Sequence, residues 1–503
     1  MRVLVIGLDG ATLDLIMPWA EEGKLPTFYK LMSEGSYGNL ESVIPTLTIP
    51  AWNCLASGKN PGKIGCFSFV QKAYKSYNFQ FPFSLVKKEK DIWDILSDYG
   101  KKVFVLNAPN VQYAYKINGC IVAGPLYISE ERLTYPRSLR EELYEMHYEK
   151  DITDPNTLLL LNDYEFSRKH KEITESQFNA LFHFIEKKYD FGFAVFSELD
   201  RVQHKFWDRK KLILSHYQNI DRKLKDLLHK LEQKNDRTNI IIVSDHGFGP
   251  DKRIFLINEW LIRKRLLVIK KSFTLKFTKT LARIQKRAII TKMLRSLSKY
   301  AFFKSLYLRI AQSSARTPIV WDATKAFSYA IFGQVYINLK GREPQGIVKK
   351  EEYELLRNKI IKELQEKSVK AFRREELYYG DYLELAPDII IQTDDYVNSI
   401  SAKVGYGKEF IEGFGGSHRI NGIFIAWGPD IKENLEIKAK IYDVAPTILH
   451  MFGIPIPKDM DGRVLKEIFK GELAMREIKY QEIDERNRIK KKLRESRRKG
   501  MIF

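Results

Sequence analysis

The 503-residue sequence predicts an α/β protein with a mostly parallel central sheet. Short apolar runs typical of buried strands alternate with longer helical patterns, which is the order expected when crossover helices connect parallel strands. Several of the apolar runs end in Asp or His. Polar side chains at the carboxyl ends of neighbouring strands meet at one edge of an open sheet, where such proteins bind ligands. These observations predict both the fold class and the place of a functional site.

Four predicted strands are each followed by a polar residue that can bind a ligand. Residues 2–9 form the first strand and precede a predicted helix over 13–34. A predicted helix over 92–98 precedes the second strand, which lies within 101–109. A predicted helix over 217–233 precedes the fourth strand, which ends just before Asp245. The polar residues at these strand ends are, in chain order, Asp9, Asn107, Asp200 with His204, and Asp245 with His246. Their shared position predicts that they lie together.

The C-terminal part of the chain continues this alternation. Residues 325–341 indicate a strand pair, 351–366 a helix, and 386–392 another buried strand. A glycine-rich stretch over 396–417 is predicted to be a loop that delivers His418. Because no low-complexity linker or repeat divides the chain, we expect one discontinuous core. Its predicted parts are 1–259, a basic helical insertion at 260–321, the second core segment at 322–470 and a charged tail at 471–503.

The stretch PTLTIPAWNCLASG at residues 45–58 predicts a helix with a hydroxyl group at its start. Thr48 is a suitable N-cap, Pro50 is tolerated in a first turn, and Gly58 is suited to end the helix. Because backbone N–H groups point outward at a helix N-terminus, a negatively charged oxygen is stabilised there. The same residues are also compatible with Thr48 acting only as a cap.

The Asp and His residues at the strand ends offer oxygen and nitrogen donors, which zinc binds and manganese also accepts. Each has an ordinary structural alternative. Asp9 could serve only in a turn, and Asp200 and His204, four residues apart, could form a surface pair on a helix. His418, within GGSHR, adds a further donor. The other histidines, at positions 147, 170, 183, 216, 229 and 450, are interpreted as structural.

Six motifs, in this order, resemble the alkaline phosphatase superfamily. They are GLDG at 7–10, PTLTIP at 45–50, DRVQH at 200–204, SDHG at 244–247, GSHR at 416–419 and DVAPTILHMFGIP at 443–455. The chain is most similar to the type I phosphodiesterase/nucleotide pyrophosphatase branch and to the related predicted phosphohydrolase/phosphomutase group. The resemblance runs from Met1 to Arg463, with a gap near 260–320. It implies an alkaline-phosphatase-like core of three layers.

The resemblance also implies a site for two divalent metal ions, zinc or manganese, and a covalent threonine intermediate. One ion would be held by Asp200, His204 and His418, and the other by Asp9, Asp245, His246 and the Thr48 oxygen. A threonine hydroxyl is a poor nucleophile, and no Ser-His-Asp arrangement is apparent that could activate it. Two cations about 4 Å apart can deprotonate such a hydroxyl and stabilise the leaving oxygen. Thr46 is the rival nucleophile, but the family motif places the nucleophile just before the x-Pro step.

The chain departs from the nucleotide pyrophosphatase pattern at Ala51, where that branch carries an asparagine. Asn53 or Asn107 could supply the missing donor to the substrate. No C-x-P-x-R motif supports a sulfatase, and a phosphoglycerate mutase would be expected to use serine as nucleophile. The prediction is therefore hydrolysis of a phosphoric ester, with a diester slightly favoured. A phosphomonoesterase or phosphomutase with the same centre is the enzymatic alternative, and a catalytically idle membrane- or polyanion-binding protein is the alternative of another class.

Most of the net charge of +21 comes from residues 260–321, which contain sixteen Lys and Arg and no Asp or Glu. Their helical spacing among apolar residues is typical of a surface that contacts anionic lipid. A solvated cap that attracts anionic substrates is an alternative. Nucleic-acid binding ranks last, because aromatic-rich recognition motifs are absent. A second basic run, RIKKKLRESRRK, lies near the C-terminus.

The cysteine pattern predicts a reducing compartment. Cys54, Cys66 and Cys120 show no metal-binding spacing, and their number is odd and small. Met1 leads directly into the strand that carries Asp9, so we expect no signal peptide. No apolar run reaches the roughly 18 residues of a membrane span. We therefore expect a cytoplasmic protein, with peripheral membrane contact as an alternative.

Overall fold

The computed structural model describes residues 1–80, 89–126, 129–152, 161–234, 237–270, 319–329 and 334–482. The strands within these ranges are β1 (Arg2–Leu8), β2 (Ser36–Glu41), β3 (Gln71–Lys72), β4 (Phe79–Gln80), β5 (Val103–Ala108), β6 (Gly119–Ala123), β7 (Thr134–Tyr135), β8 (Phe191–Phe196), β9 (Thr238–Val243), β10 (Gly247–Pro250), β11 (Arg253–Leu256), β12 (Ala326–Ser328), β13 (Gln334–Ile337), β14 (Ala371–Arg373), β15 (Ile389–Ile391), β16 (Ser399–Ser401), β17 (Phe410–Glu412), β18 (Gly416–Arg419), β19 (Asn421–Trp427), β20 (Leu435–Lys440), β21 (Ile456–Pro457) and β22 (Tyr480–Gln481).

The α-helices of the same ranges alternate with the strands, as the sequence predicts. They are α1 (Leu13–Glu21), α2 (Pro26–Ser33), α3 (Thr48–Ser57), α4 (Pro61–Ile64), α5 (Ile92–Asp98), α6 (Leu139–Glu145), α7 (Asp163–Glu186), α8 (Glu198–Phe206), α9 (Lys210–Gln233), α10 (Ile257–Arg263), α11 (Lys350–Gln365), α12 (Arg374–Leu377), α13 (Val444–Met451) and α14 (Gly471–Met475). No helix among the described residues is both long and apolar enough to cross a bilayer.

The main sheet has nine strands in the order β20-β2-β19-β9-β1-β8-β5-β6-β7. Its centre is parallel: β1 pairs in parallel with β8 and β9, and β5 with β8 and β6. β19 is antiparallel to both of its neighbours, and β7 is an antiparallel edge strand. The carboxyl ends of β5, β8, β1 and β9 therefore meet at one edge, as predicted for an open α/β sheet.

Helices cover both faces of this sheet, because successive residues of a buried strand point to opposite sides. Val3 and Val5 of β1 belong to an apolar cluster with α3, α5 and α13. Leu4 and Ile6 of the same strand belong to a second cluster with α1, α2, α7 and α9. The predicted three-layer core is therefore confirmed.

A smaller sheet, with the strand order β12-β13-β15-β14, encloses an apolar cluster of its own. Helices α10 and α11 pack into this cluster, with Trp260 fully buried. Residues 260–270, the first part of the predicted insertion, thus belong to the small sheet's core through Trp260, Leu261 and Leu267. Residues 271–318 and 483–503 lie outside the described residues. The basic helical insertion, its membrane contact and the charged tail therefore stay predictions.

Several local predictions are confirmed and three need correction. The helix over 92–98 and the strand pair in 325–341 are present. The predicted helix over 13–34 is two helices, α1 and α2, because Gly23 has a φ of +71° and Pro26 begins a new helix. The N-cap of α3 is Leu47, and Thr48 is the first helical residue. The predicted loop over 396–417 contains the strands β16 and β17, and His418 lies on the short strand β18.

Candidate metal and nucleophile site

The predicted ligand residues converge at the carboxyl edge of the main sheet. Asp9 directly follows β1, and Asp245 follows the adjacent strand β9 after one residue. The two loops are joined by a hydrogen bond of 3.2 Å from the Gly10 amide to Asp245 Oδ1. Asp200 and His204 lie on α8, which follows β8 on the other side of β1. His418 reaches this edge because β18 pairs antiparallel with β10.

The first group of donors comprises Asp200, His204 and His418. The Nε2 atoms of the two histidines lie 3.0 Å apart, and each is 3.3 Å from Asp200 Oδ1. The Nδ1 atom of His204 donates to the Gly416 carbonyl at 2.9 Å, and that of His418 donates to the Thr46 carbonyl at 2.8 Å. Because Nδ1 is the donor in each case, Nε2 of each ring faces Asp200 and carries the lone pair when the imidazole is neutral.

The second group comprises Asp9, Asp245 and His246. His246 Nε2 lies 3.3 Å from Asp245 Oδ2 and 3.8 Å from Asp9 Oδ1. The Nδ1 atom of His246 donates to the Gly247 carbonyl at 3.1 Å, which again leaves the Nε2 lone pair pointing at the carboxylates. All three side chains are buried.

The two groups are neighbours. The rings of His246 and His418 stack with centroids 3.6 Å apart, so one residue of each group contacts the other. This approach depends on small residues in the segment before His418. Gly415 has a φ of +80°, and a Cβ atom there would lie 2.0 Å from the His204 carbonyl oxygen. The glycine-rich sequence therefore lets the strand with His418 lie directly against the helix with His204.

Thr48 lies on a segment that both donor groups hold in place. On one side, the carbonyl of Thr46 accepts a hydrogen bond from His418. On the other side, Trp52, one helical turn after Thr48, donates its indole N–H to Asp9 Oδ2 at 3.3 Å. Thr48 is partly buried and is the first residue of α3, where helix N–H groups favour a negatively charged oxygen.

Four donor atoms of these groups are buried and have no hydrogen-bond partner: Asp9 Oδ1, Asp200 Oδ1, Asp245 Oδ2 and His246 Nε2. A buried carboxylate oxygen without a partner is costly, and three of them within two adjacent clusters are not expected by chance. All four are the atoms that face the interior of their group. Carboxylate oxygens and neutral imidazole nitrogens are the ligands of a divalent cation such as zinc, so the residues present fit two such ions.

The electrostatics of the second group also indicate a place for positive charge. Burial and the neighbouring carboxylates Asp245 and Asp200 raise the pKa of Asp9 well above its ordinary value. Burial and the charge of Asp200 raise the pKa of Asp245 to about 8. Burial and the nearby His418 lower the pKa of His246, which keeps its imidazole neutral. The protein alone therefore disfavours the ionised form of these carboxylates, and a bound cation would favour it.

The structure treats the two predicted substrate-binding asparagines differently. The Asn53 amide donates to the Ile49 carbonyl of its own helix at 2.8 Å. Asn107 lies at the end of β5 with a φ of +60°, and its Oδ1 accepts a hydrogen bond from the Tyr148 hydroxyl. Its Nδ2 is buried without a partner. Both assignments to substrate binding stay predictions.

Sequence reasoning missed three features around the site. Trp52 lies within the stretch at residues 45–58, but an indole gives no sequence signal of a hydrogen bond to a ligand carboxylate. The ion pair between Arg201 and Asp151, with Arg201 Nη2 at 3.0 Å from Asp151 Oδ2, joins residues 50 positions apart. A buried chain runs from Ser167 through His216 to Glu198 at the start of α8. It does not include Thr48, so His216 keeps its structural interpretation.

The site residues fall within a match to a known family. The sequence matches the family model described as type I phosphodiesterase / nucleotide pyrophosphatase over residues 3–417. The chain belongs to this family. It is therefore a member of the alkaline phosphatase superfamily and a phosphoric ester hydrolase of the phosphodiesterase/pyrophosphatase type. No curated protein sequence matches the chain.

Solved structures of the same family confirm the fold. The human ectonucleotide pyrophosphatase / phosphodiesterase 5 is similar with a TM-score of 0.53 and 13% sequence identity, over 94% of this chain and 100% of that chain. Its murine counterpart gives a TM-score of 0.51 and 14% identity, over 93% of this chain and 100% of that chain. At such identities the likeness extends to the fold alone, which is the alkaline-phosphatase-like architecture predicted from the sequence.

Proposed function

We propose that this phosphodiesterase-family chain hydrolyses a phosphodiester through a covalent intermediate on Thr48, with two bound divalent cations. The observation that carries the proposal is the set of four buried donor atoms without partners, in two adjacent clusters that hold the Thr48 segment between them. Asp200, His204 and His418 would hold one ion, and Asp9, Asp245, His246 and Thr48 the other. Zinc suits this nitrogen and oxygen set best, and manganese is the alternative.

The chain's own residues supply the nucleophile and its position. Thr48 Oγ1 attacks phosphorus, its proton passes to solvent, and the first alcohol leaves with the electron pair of the broken P–O bond. Water then attacks phosphorus in the diester that links Thr48 to the second alcohol, and the bond between Thr48 Oγ1 and phosphorus breaks. This step releases the phosphate monoester of the second alcohol, and Thr48 Oγ1 takes up a proton to restore the hydroxyl. When bound, the cations would lower the pKa of the hydroxyl and offset the charge of the phosphoryl oxygens. The Trp52 and Thr46 contacts fix the approach of Thr48, which favours an aligned attack.

Turnover of nitrophenyl esters tests the nucleophile directly. Protein reconstituted with zinc or manganese is assayed with bis-p-nitrophenyl phosphate and p-nitrophenyl phosphate. We expect the diester to be turned over faster, and Thr48→Ala to lose at least about 10³-fold in kcat because the covalent route is removed.

The rival threonine provides the matched control. Thr46 contributes its backbone carbonyl to the site, so Thr46→Val should keep most of the activity. Equal turnover by Thr48→Ala and the parent protein would rule out Thr48 as nucleophile. Loss in Thr46→Val with retention in Thr48→Ala would transfer the role to Thr46.

A further inference from the structure

Arg201 extends its guanidinium group beside the proposed metal ligands. It follows Asp200 on α8, and its Nη1 lies 3.7 Å from Asp200 Oδ2 while its Nη2 lies 3.0 Å from Asp151 Oδ2. The side chains of Asp200 and Asp151 are each 7% exposed, but that of Arg201 is 30% exposed. The guanidinium group therefore contacts two buried carboxylates, while part of the Arg201 side chain stays accessible to solvent.

The guanidinium group also has an N–H donor without a hydrogen-bond partner. Arginine offers five N–H donors, and the Nε donor of Arg201 is buried without a partner. The two carboxylate oxygens of Asp200 have different neighbours. Oδ1 faces His204 and His418, and Oδ2 faces Arg201. Arg201 thus contacts the second oxygen of the carboxylate that would hold a cation, and a guanidinium group is suited to bind an anion.

A small cleft of mixed polar and apolar lining lies next to Asp151 of this ion pair. Asp151 lines the cleft with Asn107, Tyr148, Lys150 and Ser197, at the carboxyl ends of β5 and β8. Because β8 is the neighbour of β1 and adjacent strands are about 4.8 Å apart, the cleft adjoins the edge that carries the metal ligands. The positive charge of Arg201 also acts on Asp9, since it opposes the rise in the Asp9 pKa that burial causes.

We propose that Arg201 binds a non-bridging oxygen of the substrate's phosphoryl group, and that its pairing with Asp151 makes the site prefer phosphodiesters to phosphomonoesters. This inference rests on the proposed function. Asp151 neutralises Arg201, so the pair presents N–H donors to phosphate without adding net positive charge. A phosphodiester carries one negative charge, whereas a phosphomonoester carries close to two at pH 7. Binding the monoester therefore needs a further positive charge that the intact pair does not supply.

Variants of the two residues separate these roles. In Arg201→Gln, kcat/KM for both nitrophenyl esters should fall by about 10- to 100-fold, because a charge-assisted contact is lost. Arg201→Lys should retain part of the kcat/KM that Arg201→Gln loses, since lysine keeps the positive charge but lacks the paired N–H donors of a guanidinium group. In Asp151→Asn, the ratio of diester to monoester kcat/KM should fall by about tenfold, because Arg201 is no longer neutralised. Inorganic phosphate, used as a competitive inhibitor, should bind more tightly to Asp151→Asn and more weakly to Arg201→Gln.

The chain contains a matched control pair. Arg209 Nη1 lies 3.0 Å from Asp163 Oδ2, and the side chain of Arg209 is 58% exposed. Arg209→Gln and Asp163→Asn should leave kcat/KM and the substrate ratio within about twofold of the parent protein. The metal content of every variant is measured beside its activity.

Three results would overturn the inference. The first is an Arg201→Gln enzyme as active as Arg209→Gln. The second is an unchanged ratio of diester to monoester kcat/KM in Asp151→Asn. The third is loss of bound metal in Arg201→Gln, which would show that Arg201 only supports Asp200. Failure of the proposed function would instead appear as full activity in Thr48→Ala, independently of these ratios.

Discussion

Trp52 connects the helix that carries Thr48 to the carboxylate of Asp9. Its ring is fully buried and packs edge-on against Phe193 at 6.0 Å, so the indole N–H has one orientation, toward Asp9 Oδ2. Outer hydrogen bonds of this kind orient a ligand and change metal affinity by about 10- to 100-fold. The residue thus contributes to metal binding without being a ligand.

Trp52→Phe tests this role. We expect the variant to fold, to keep a covalently competent Thr48, and to need about tenfold more zinc for half-maximal turnover, because Asp9 loses its oriented partner. Zinc titration of chelator-treated protein measures the change. Trp93→Phe is the control: Trp93 is also fully buried, but its indole donates to the Tyr115 hydroxyl at 2.8 Å, away from the site. An identical zinc requirement in Trp52→Phe and the parent would contradict the assigned role.

The ligand residues were predictable one by one because each occupies a strand end or a short motif. Their pairing was implied only by the family resemblance, since no local pattern shows that His418 contacts His204 across 214 positions. Asp151 was beyond prediction altogether. Its surroundings in the sequence resemble any polar surface segment, and its partner Arg201 is a distant residue.

At the scale of elements, α3 is anchored at its C-terminal end by a polar cluster. Gly58 ends the helix with a φ of +68°. Asp461 accepts hydrogen bonds from the Asn60 amide at 2.7 Å and the Tyr379 hydroxyl at 2.6 Å, and it pairs with Lys63. This cluster fixes one end of the helix while the metal ligands fix the other. The position of Thr48 therefore depends on Asp461, which lies more than 400 positions away in the sequence.

Asp461→Asn should lower the free energy of unfolding by about 2 kcal/mol at pH 7, because a charged acceptor of several hydrogen bonds is replaced by a neutral one. Burial raises the pKa of Asp461, but the bonds from Lys63, Tyr379 and Asn60 outweigh it and hold this pKa below its ordinary value of 3.8. The stabilisation is thus present above the unfolded-state pKa and is lost as pH falls through the folded-state pKa. The difference between parent and variant should shrink below about pH 4.

Urea unfolding at pH 7 and at several acidic pH values measures this difference. Asp98→Asn is the control, because Asp98 forms an exposed pair with Lys90 and should change stability by less than about 1 kcal/mol. A difference between Asp461→Asn and the parent that stays constant from pH 7 to pH 3 would contradict the argument.

For the whole molecule, the central sheet was predictable because strands buried on both faces are continuous apolar runs. β1 and β9 are such runs, and both lie at the sheet centre. The small second sheet was only partly predictable. Its strands are three or four residues long, and its core also takes Trp260 and Leu267 from the start of the basic stretch. The charge pattern alone could not show that these apolar residues, which lie at the start of the basic segment, pack into the core of the small sheet.

The account as a whole rests on two cations held by one convergent set of side chains. The most direct test is the zinc content of purified protein after chelation, reconstitution and dialysis, compared between the parent and His418→Ala. We predict about two equivalents for the parent, and about one for His418→Ala, because only the Asp200 group loses a ligand. Fewer than one equivalent in the parent, or two in both proteins, would contradict the central claim.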